Sequence, residues 1–231
     1  MRSYGQYCPM AKAAEILADR WTLLIVRDLL CGVAHFNDLE RGLPGISRAL
    51  LAQRLRRLQR AGILERRVAG KGRATAYHLT AAGRELQALV DVLVHWGARW
   101  AFGEPEPAEL DPVLLMWWMR GRIHHERLPP QRVVVQFDFR GPRGRTLWLV
   151  LTGGEASVCL QHPGFDVDLL VTADLAAFYH VWLGRRRLAE AVDDGSVQLD
   201  GMPAFVRAFP TWLAWSPTAD VVRAAGQRAP G

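Results

Sequence analysis

Between Arg41 and Arg73 the chain carries ten basic residues and one acid, Glu65. Such an accumulation either faces a polyanion or forms an Arg-rich solvated surface, and spacing decides between them. Leu51, Leu55 and Leu58 recur at helical spacing and define a buried stripe. At roughly 100° per residue, Ala49, Gln53, Arg56 and Arg60 fall on the opposite side, with Arg57 at the margin. Ser47, Arg48, Ala49 and Ala52 occupy the opening turns, where small residues let a helix end enter a major groove. An amide such as Gln53 pairs with adenine, and Arg48 or Arg56 with guanine or phosphate. Gly70-Lys71-Gly72-Arg73 then makes a basic hairpin tip, which places Lys71 and Arg73 against a nucleic-acid backbone.

Other reactive side chains are sparse. The three cysteines, Cys8, Cys31 and Cys159, are widely spaced and odd in number, neither a disulfide framework nor a structural zinc set. Cys8 precedes Pro9, the expected first helical residue, so its thiol sits at an N-cap where the helix dipole favours an anion. It is the redox candidate. His124 and His125 are adjacent, which on a helix points them about 100° apart and makes a poor chelate. No phosphate loop, nucleophile elbow or His-Glu-x-x-His pattern occurs. The sequence therefore points away from an enzyme and calls for no catalytic set, metal or cofactor.

The elements that must hold these residues follow from caps and periodicity. A first helix begins at Pro9 and turns Ala13, Ile16 and Leu17 inward. Asp19 is the expected cap of a second, which Gly32 ends. A short third helix spans 36–43, Pro44-Gly45 turns the chain, and Ser47 caps the basic helix, which reaches 61–62. Strands at 63–68 and 75–79 flank the hairpin tip, and Thr80 caps one long helix over 81–100. Short helix, tight turn, basic helix and basic hairpin is the layout of a winged helix-turn-helix.

Composition is that of a globular chain: 231 residues, 50% apolar and 23% charged, with a net charge of +6. Residues 1–103 hold 16 Lys and Arg against 8 acids, whereas the remainder holds 13 against 15. The longest apolar run, 113–119, is too short to cross a bilayer, and the first residues lead into no apolar signal region. A cytoplasmic protein with no membrane partner is expected. Phe102-Gly103-Glu104-Pro105-Glu106-Pro107 breaks helical periodicity. This divides the chain into a DNA-binding and dimerisation domain at 1–103, a linker at 104–110, a second domain at 111–216 and a fraying tail at 217–231.

Several stretches then resemble the HxlR family of bacterial transcriptional regulators. They are Cys8-Pro9, Arg20-Trp21-Thr22-Leu23-Leu24-Ile25, Arg27-Asp28-Leu29-Leu30-Cys31-Gly32 and Phe36-Asn37-Asp38-Leu39. Leu43-Pro44-Gly45-Ile46-Ser47, Leu51-Ala52-Gln53-Arg54-Leu55, Gly62-Ile63-Leu64-Glu65-Arg66 and Tyr77-His78-Leu79-Thr80-Ala81-Ala82-Gly83 continue the likeness in order. The resemblance implies a homodimeric winged-helix protein on an inverted-repeat operator, most often a repressor. It also implies that a cysteine at the position of Cys8 senses electrophiles or oxidants. The helix over 81–100 offers Leu86, Leu89, Val90, Leu93, Trp96 and Trp100 along one strip, which suits a dimer interface or packing on the second domain. A sequence-indifferent nucleic-acid module and an interaction scaffold are the rival readings.

In the second domain, a helix over 111–127 leads into strands at about 133–139, 146–152, 156–161 and 166–172. Their turn linkage implies an antiparallel sheet, so the chain as a whole is α+β. Asp174 caps a helix over 175–183, a short amphipathic piece covers 187–192, and Asp193-Asp194-Gly195 turns into a strand at 197–199 before a final helix. With Asp168-Leu169-Leu170-Val171-Thr172-Ala173-Asp174 and Asp194-Gly195-Ser196-Val197-Gln198-Leu199-Asp200-Gly201, this order resembles sterol-carrier-protein-type lipid-binding domains. The resemblance implies an apolar cavity for a small-molecule ligand, although the same fold survives with a filled core. Six of the nine tryptophans lie here. Phe137, Trp148, Phe178, Trp182 and Phe209 are the candidate pocket wall, and ordinary core packing is the alternative.

Overall fold

The computed structural model describes residues 3–68 and 75–226. The chain divides into two compact units, residues 1–93 and 94–231. Among the described residues no helix is long and apolar enough to cross a membrane.

In the first unit the helices are α1 (Pro9–Leu17), α2 (Thr22–Leu30), α3 (Phe36–Gly42) and α4 (Arg48–Arg60). Strands β1 (Leu64–Val68) and β2 (Thr75–Leu79) pair antiparallel, Leu64 opposite Leu79 and Val68 opposite Thr75. Then come α5 (Ala81–Glu85) and α6 (Gln87–Trp100), whose residues from Val94 onward belong to the second unit. Ile25, Val26, Leu39, Leu51, Leu55 and Leu58 are nearly inaccessible and form the core. Three local expectations are corrected. The inward face of α1 is Ala11 and Glu15 rather than Ala13, because Glu15 accepts hydrogen bonds from Ser3 Oγ (2.8 Å) and Tyr4 N (2.9 Å). The N-cap of α2 is Trp21, and Asp19 instead binds arginines of α4. The single long helix is two, broken at Leu86.

Two local devices fix the joint between the hairpin and α5. Thr80 Oγ1 accepts from Gly83 N at 3.2 Å and donates to Gly62 O at 2.6 Å. Gly83 is required there, since a Cβ would lie 2.1 Å from the carbonyl oxygen of Ile63.

After the end of α6 the second unit continues with α7 (Pro112–Arg120), shorter than expected because Gly121 caps it, and Asp111 Oδ1 accepts from the first-turn N–H groups. Strands β3 (Val133–Arg140), β4 (Thr146–Thr152) and β5 (Glu155–Cys159) form an antiparallel meander. β6 (Leu169–Asp174) crosses back to lie parallel to β3, and β7 (Val197–Gly201) pairs antiparallel with β6. The order β5-β4-β3-β6-β7 makes the sheet mixed, correcting the expected antiparallel sheet. The segment 160–168 is the cause: it leaves the edge strand β5 and crosses β4 and β3, so that β6 lies on the far side of β3. Helices α8 (Leu175–Trp182) and α9 (Leu188–Asp193) separate β6 from β7, and α10 (Pro203–Trp212) follows. Part of the expected fraying tail is helical, α11 (Ala219–Gly226), anchored by buried Ala219 and Val222.

Candidate nucleic-acid interface

The basic helix α4 is positioned by its own two sides. Leu51, Leu55 and Leu58 are at most 1% exposed and anchor it on the core. Ser47 Oγ accepts from Leu50 N at 3.2 Å, so the helix starts where the cap dictates. Opposite the leucines, Ala49, Gln53, Arg56 and Arg60 are exposed, and Ser47 and Arg48 are exposed where the helix begins. The structure thus brings Ser47, Ala49, Gln53 and Arg56 together on one solvent-facing surface.

Two of the expected residues have other engagements. Arg57 turns inward: it pairs with Asp19 and donates to the carbonyl of Glu15, leaving the outward set. Its place on the helical wheel explains this, since it shares a flank with Arg54 beside the leucine stripe. Arg54 was not among the sequence candidates, yet it donates to Asp19 Oδ2 at 2.9 Å and to Arg20 O at 3.1 Å. The two arginines clamp the α1–α2 joint onto α4. Their i, i+3 spacing on one flank beside the leucine stripe is the signal that sets them apart from the outward arginines. Arg48 remains exposed but reaches back to α3, pairing with Glu40, donating to Asn37 Oδ1 at 3.2 Å and stacking over Phe36 at 4.9 Å. It therefore fixes the angle between the two helices.

Trp21 is the one non-glycine residue with positive φ among the described residues, at 79°. That conformation is strained for a bulky side chain. Its backbone is held by the Arg54 bond to Arg20 O, so the strain sits at the joint that the clamp controls.

Lys71 and Arg73 lie outside the described residues. The adjoining strand adds two cations that the sequence reading placed only as part of a hairpin: Arg66 and Arg67 are exposed on β1. Arg66 donates to Thr75 Oγ1 at 3.2 Å, and Arg67 pairs with Glu65.

On α6, Leu89, Leu93, Trp96 and Trp100 are exposed by 39–59% and repeat at i, i+4, i+7 and i+11. Val90 is buried and Leu86 half-buried at the break, so both leave the strip, while exposed Val92 adjoins it. Cys8 is the N-cap of α1, half-buried, with no side-chain capping bond.

The other candidate site is corrected. Phe137, Phe178, Trp182 and Phe209 are at most 1% exposed and fill the core of the second unit. The Phe137 ring lies 5.6–6.1 Å, centroid to centroid, from those of Phe139 (stacked), Phe178 (edge-on) and Phe209 (tilted), so these rings pack against one another in the core. Trp148 lies on the other sheet face, opposite Gln136, to which its Nε1 donates at 3.1 Å. The five residues line no common pocket.

Residues 16–104 match the HxlR-like helix-turn-helix family model. The regulator YvaP of Bacillus subtilis is 33% identical over 109 residues, which cover 97% of it and 46% of this chain. The chain belongs to the HxlR-like helix-turn-helix family. YodB of Bacillus subtilis, another regulator of this helix-turn-helix type, is 35% identical over 88% of its length and 42% of this chain. An HTH-type transcriptional regulator of Mycobacterium bovis is 42% identical over 38% of this chain. The chain spans about half, 56%, of that relative's length. A crystal structure of quinone-bound YodB covers 40% of this chain and 99% of its own, at 33% identity and a TM-score of 0.35. The HxlR match lies on α2 to α6 and the residues just beyond, so the mixed sheet and its helices fall outside it.

Proposed function

We propose that the protein is a DNA-binding transcriptional regulator, acting as a homodimer on an inverted-repeat operator and most simply as a cytoplasmic repressor. The observation that carries this reading is the outward face of α4, where Gln53 and Arg56 project among small residues while Arg54 and Arg57 hold the helix from behind. Family membership supports the DNA-binding part. The apolar strip Leu89, Leu93, Trp96 and Trp100 supports a two-fold partner, which a reader of inverted repeats requires. Selection of genomic fragments followed by footprinting tests it. The expected footprint is a pseudo-palindrome with half-site centres ~10 bp apart. Salt-sensitive binding with no preferred site would replace this reading with a sequence-indifferent one.

The C-terminal unit is proposed to make the regulator responsive to a small molecule. Its order, one helix, three strands, a crossover strand, helices and a last strand, supports the sterol-carrier-like reading. The filled aromatic core moves the ligand away from the interior of the sheet.

A second reading is thiol sensing through Cys8, favoured by a half-buried thiol at the N-cap of α1, where the N–H groups receive no side-chain bond. Treatment with diamide or a quinone should then release operator DNA from the wild type and not from Cys8→Ser. Equal release, or none in either, removes Cys8 from the mechanism.

A further inference from the structure

In the second unit an open cleft of about 990 Å³ is walled by Arg99, Arg185, Arg186, Arg187 and Arg223, with His180 at its side. Among the described residues Glu104 and Glu190 line the same space, and Asp194 and Asp220 beside it pair with Arg186 and Arg223, so five arginines face four acids and the cleft keeps a small net positive charge. Gly184 makes the arginine run possible beside α11: at φ 83° it approaches Ala219 so closely that a Cβ would lie 2.3 Å from the Ala219 carbonyl oxygen.

One carboxylate already occupies the centre of this surface. Glu104 places Oε1 2.7 Å from Arg185 Nη1 and Oε2 3.2 Å from His180 Nε2. The second contact is not aligned as a hydrogen bond, and His180 Nε2 is buried with no hydrogen-bond partner among the described residues. Arg185 also donates to Phe102 O and lies 4.8 Å over the Phe102 ring. Glu104 itself is 78% exposed, and ion pairs that wet are weak. Its carboxylate is thus an easily displaced occupant of a site that leaves a buried nitrogen unsatisfied. Beside it, Phe102, Val222 and Ala98 offer apolar wall.

We propose that this cleft binds an organic carboxylate whose charged end replaces Glu104 between Arg185 and His180 and whose apolar body lies along Phe102 and Val222. This deepens the proposal of small-molecule control and rests on it. Displacing Glu104 frees the segment that directly follows α6, the helix that carries the apolar strip. Occupancy of the cleft is thereby linked to the strip through a single continuous stretch of chain.

The test is calorimetric titration of the full chain, without DNA, using 4-phenylbutyrate and its neutral amide, with inorganic phosphate as a third probe. Wild type should bind the acid and not the amide. Glu104→Gln should bind the acid about 2–5-fold more tightly, the size expected for removing an exposed competing ion pair. Arg185→Gln should lose binding while keeping the wild-type circular dichroism spectrum. A gain in Glu104→Gln cannot arise from misfolding, which keeps the result decisive if Arg185→Gln is unstable. Equal binding of acid and amide, unchanged affinity in Glu104→Gln, or phosphate binding as tight as that of the acid would each overturn the proposal. None of these outcomes touches the operator footprint, so failure here is separable from failure of the DNA-binding reading.

Discussion

Replacing Asp19 by Asn isolates the contribution of the clamp that orients α4. The carboxylate accepts from Arg54 at 2.9 Å and from Arg57, whose side chains are only 16% and 23% exposed. Hydrogen bonds to charged groups contribute about 1.5–3 kcal/mol each. Asp19 is itself 34% exposed, so solvent screens part of this, and Asn retains one acceptor. The expected net loss is about 2 kcal/mol. For a unit of this size each kcal/mol shifts the melting temperature by about 4–8 °C, so the first unit should melt about 8–16 °C lower. Differential scanning calorimetry of the full chain reads this directly, and 1 M salt should narrow the gap between variant and wild type. Asp220→Asn is the internal control. Its pair with Arg223 is equally short at 2.8 Å, but Asp220 is 94% exposed, and no measurable shift is expected. A change below about 2 °C for Asp19→Asn, or an equal change for Asp220→Asn, would refute the argument that burial makes this clamp different.

Two further perturbations test the core of each unit. Asp28 has its carboxyl pushed up by burial, against the opposing pull of Arg27, and its Oδ2 has no partner among the described residues. A raised carboxyl means that ionised Asp28 disfavours the folded state, with the penalty complete above the folded value and gone near the ordinary 3.8. Asp28→Asn should therefore raise the melting temperature at pH 7, and the advantage should shrink as pH falls toward 4; a constant difference across that range contradicts it. In the second unit Tyr179 Oη donates to Asp111 O at 2.8 Å and accepts from Asp111 N at 3.2 Å, and burial pushes its hydroxyl up to about 12. Tyr179→Phe strands Asp111 N, while Asp111 O keeps its bond from Leu115 N at 3.0 Å, and should cost about 1–3 kcal/mol in urea unfolding.

How much of this was legible in the sequence depends on whether the deciding interaction was local. The Ser47 and Thr80 caps, the leucine stripe of α4 and both wing strands follow from residues within one turn or one strand, and the structure reproduces them. The destination of Asp19 was not legible, because its partners lie 35 and 38 residues away and both capping and pairing suit the same side chain. The parallel return of β6 was hidden for the same reason: turn residues announce hairpins, but nothing in 160–168 announces a crossover. Of the five aromatic candidates in the second unit, Phe137, Phe178, Trp182 and Phe209 face the core, whereas Trp148 lies on the other sheet face. Whether inward rings enclose space or fill it depends on how rings from β3, α8 and α10 meet, which periodicity does not encode. The arginine cleft joins residues near 100, 185 and 223, and no window of sequence contains all three.

The central claim is that the outward face of α4 reads bases, and it is tested most directly with Gln53→Ala. Binding of wild type and variant should be measured on the selected operator and on unrelated DNA at one salt concentration. Loss of a bidentate contact to a base predicts a cost of about 1–3 kcal/mol on the operator, roughly 5–150-fold in affinity. Affinity for unrelated DNA should be unchanged, so the preference itself collapses. Gln53→Ala binding its operator with wild-type affinity and preference would contradict the placement of the recognition helix.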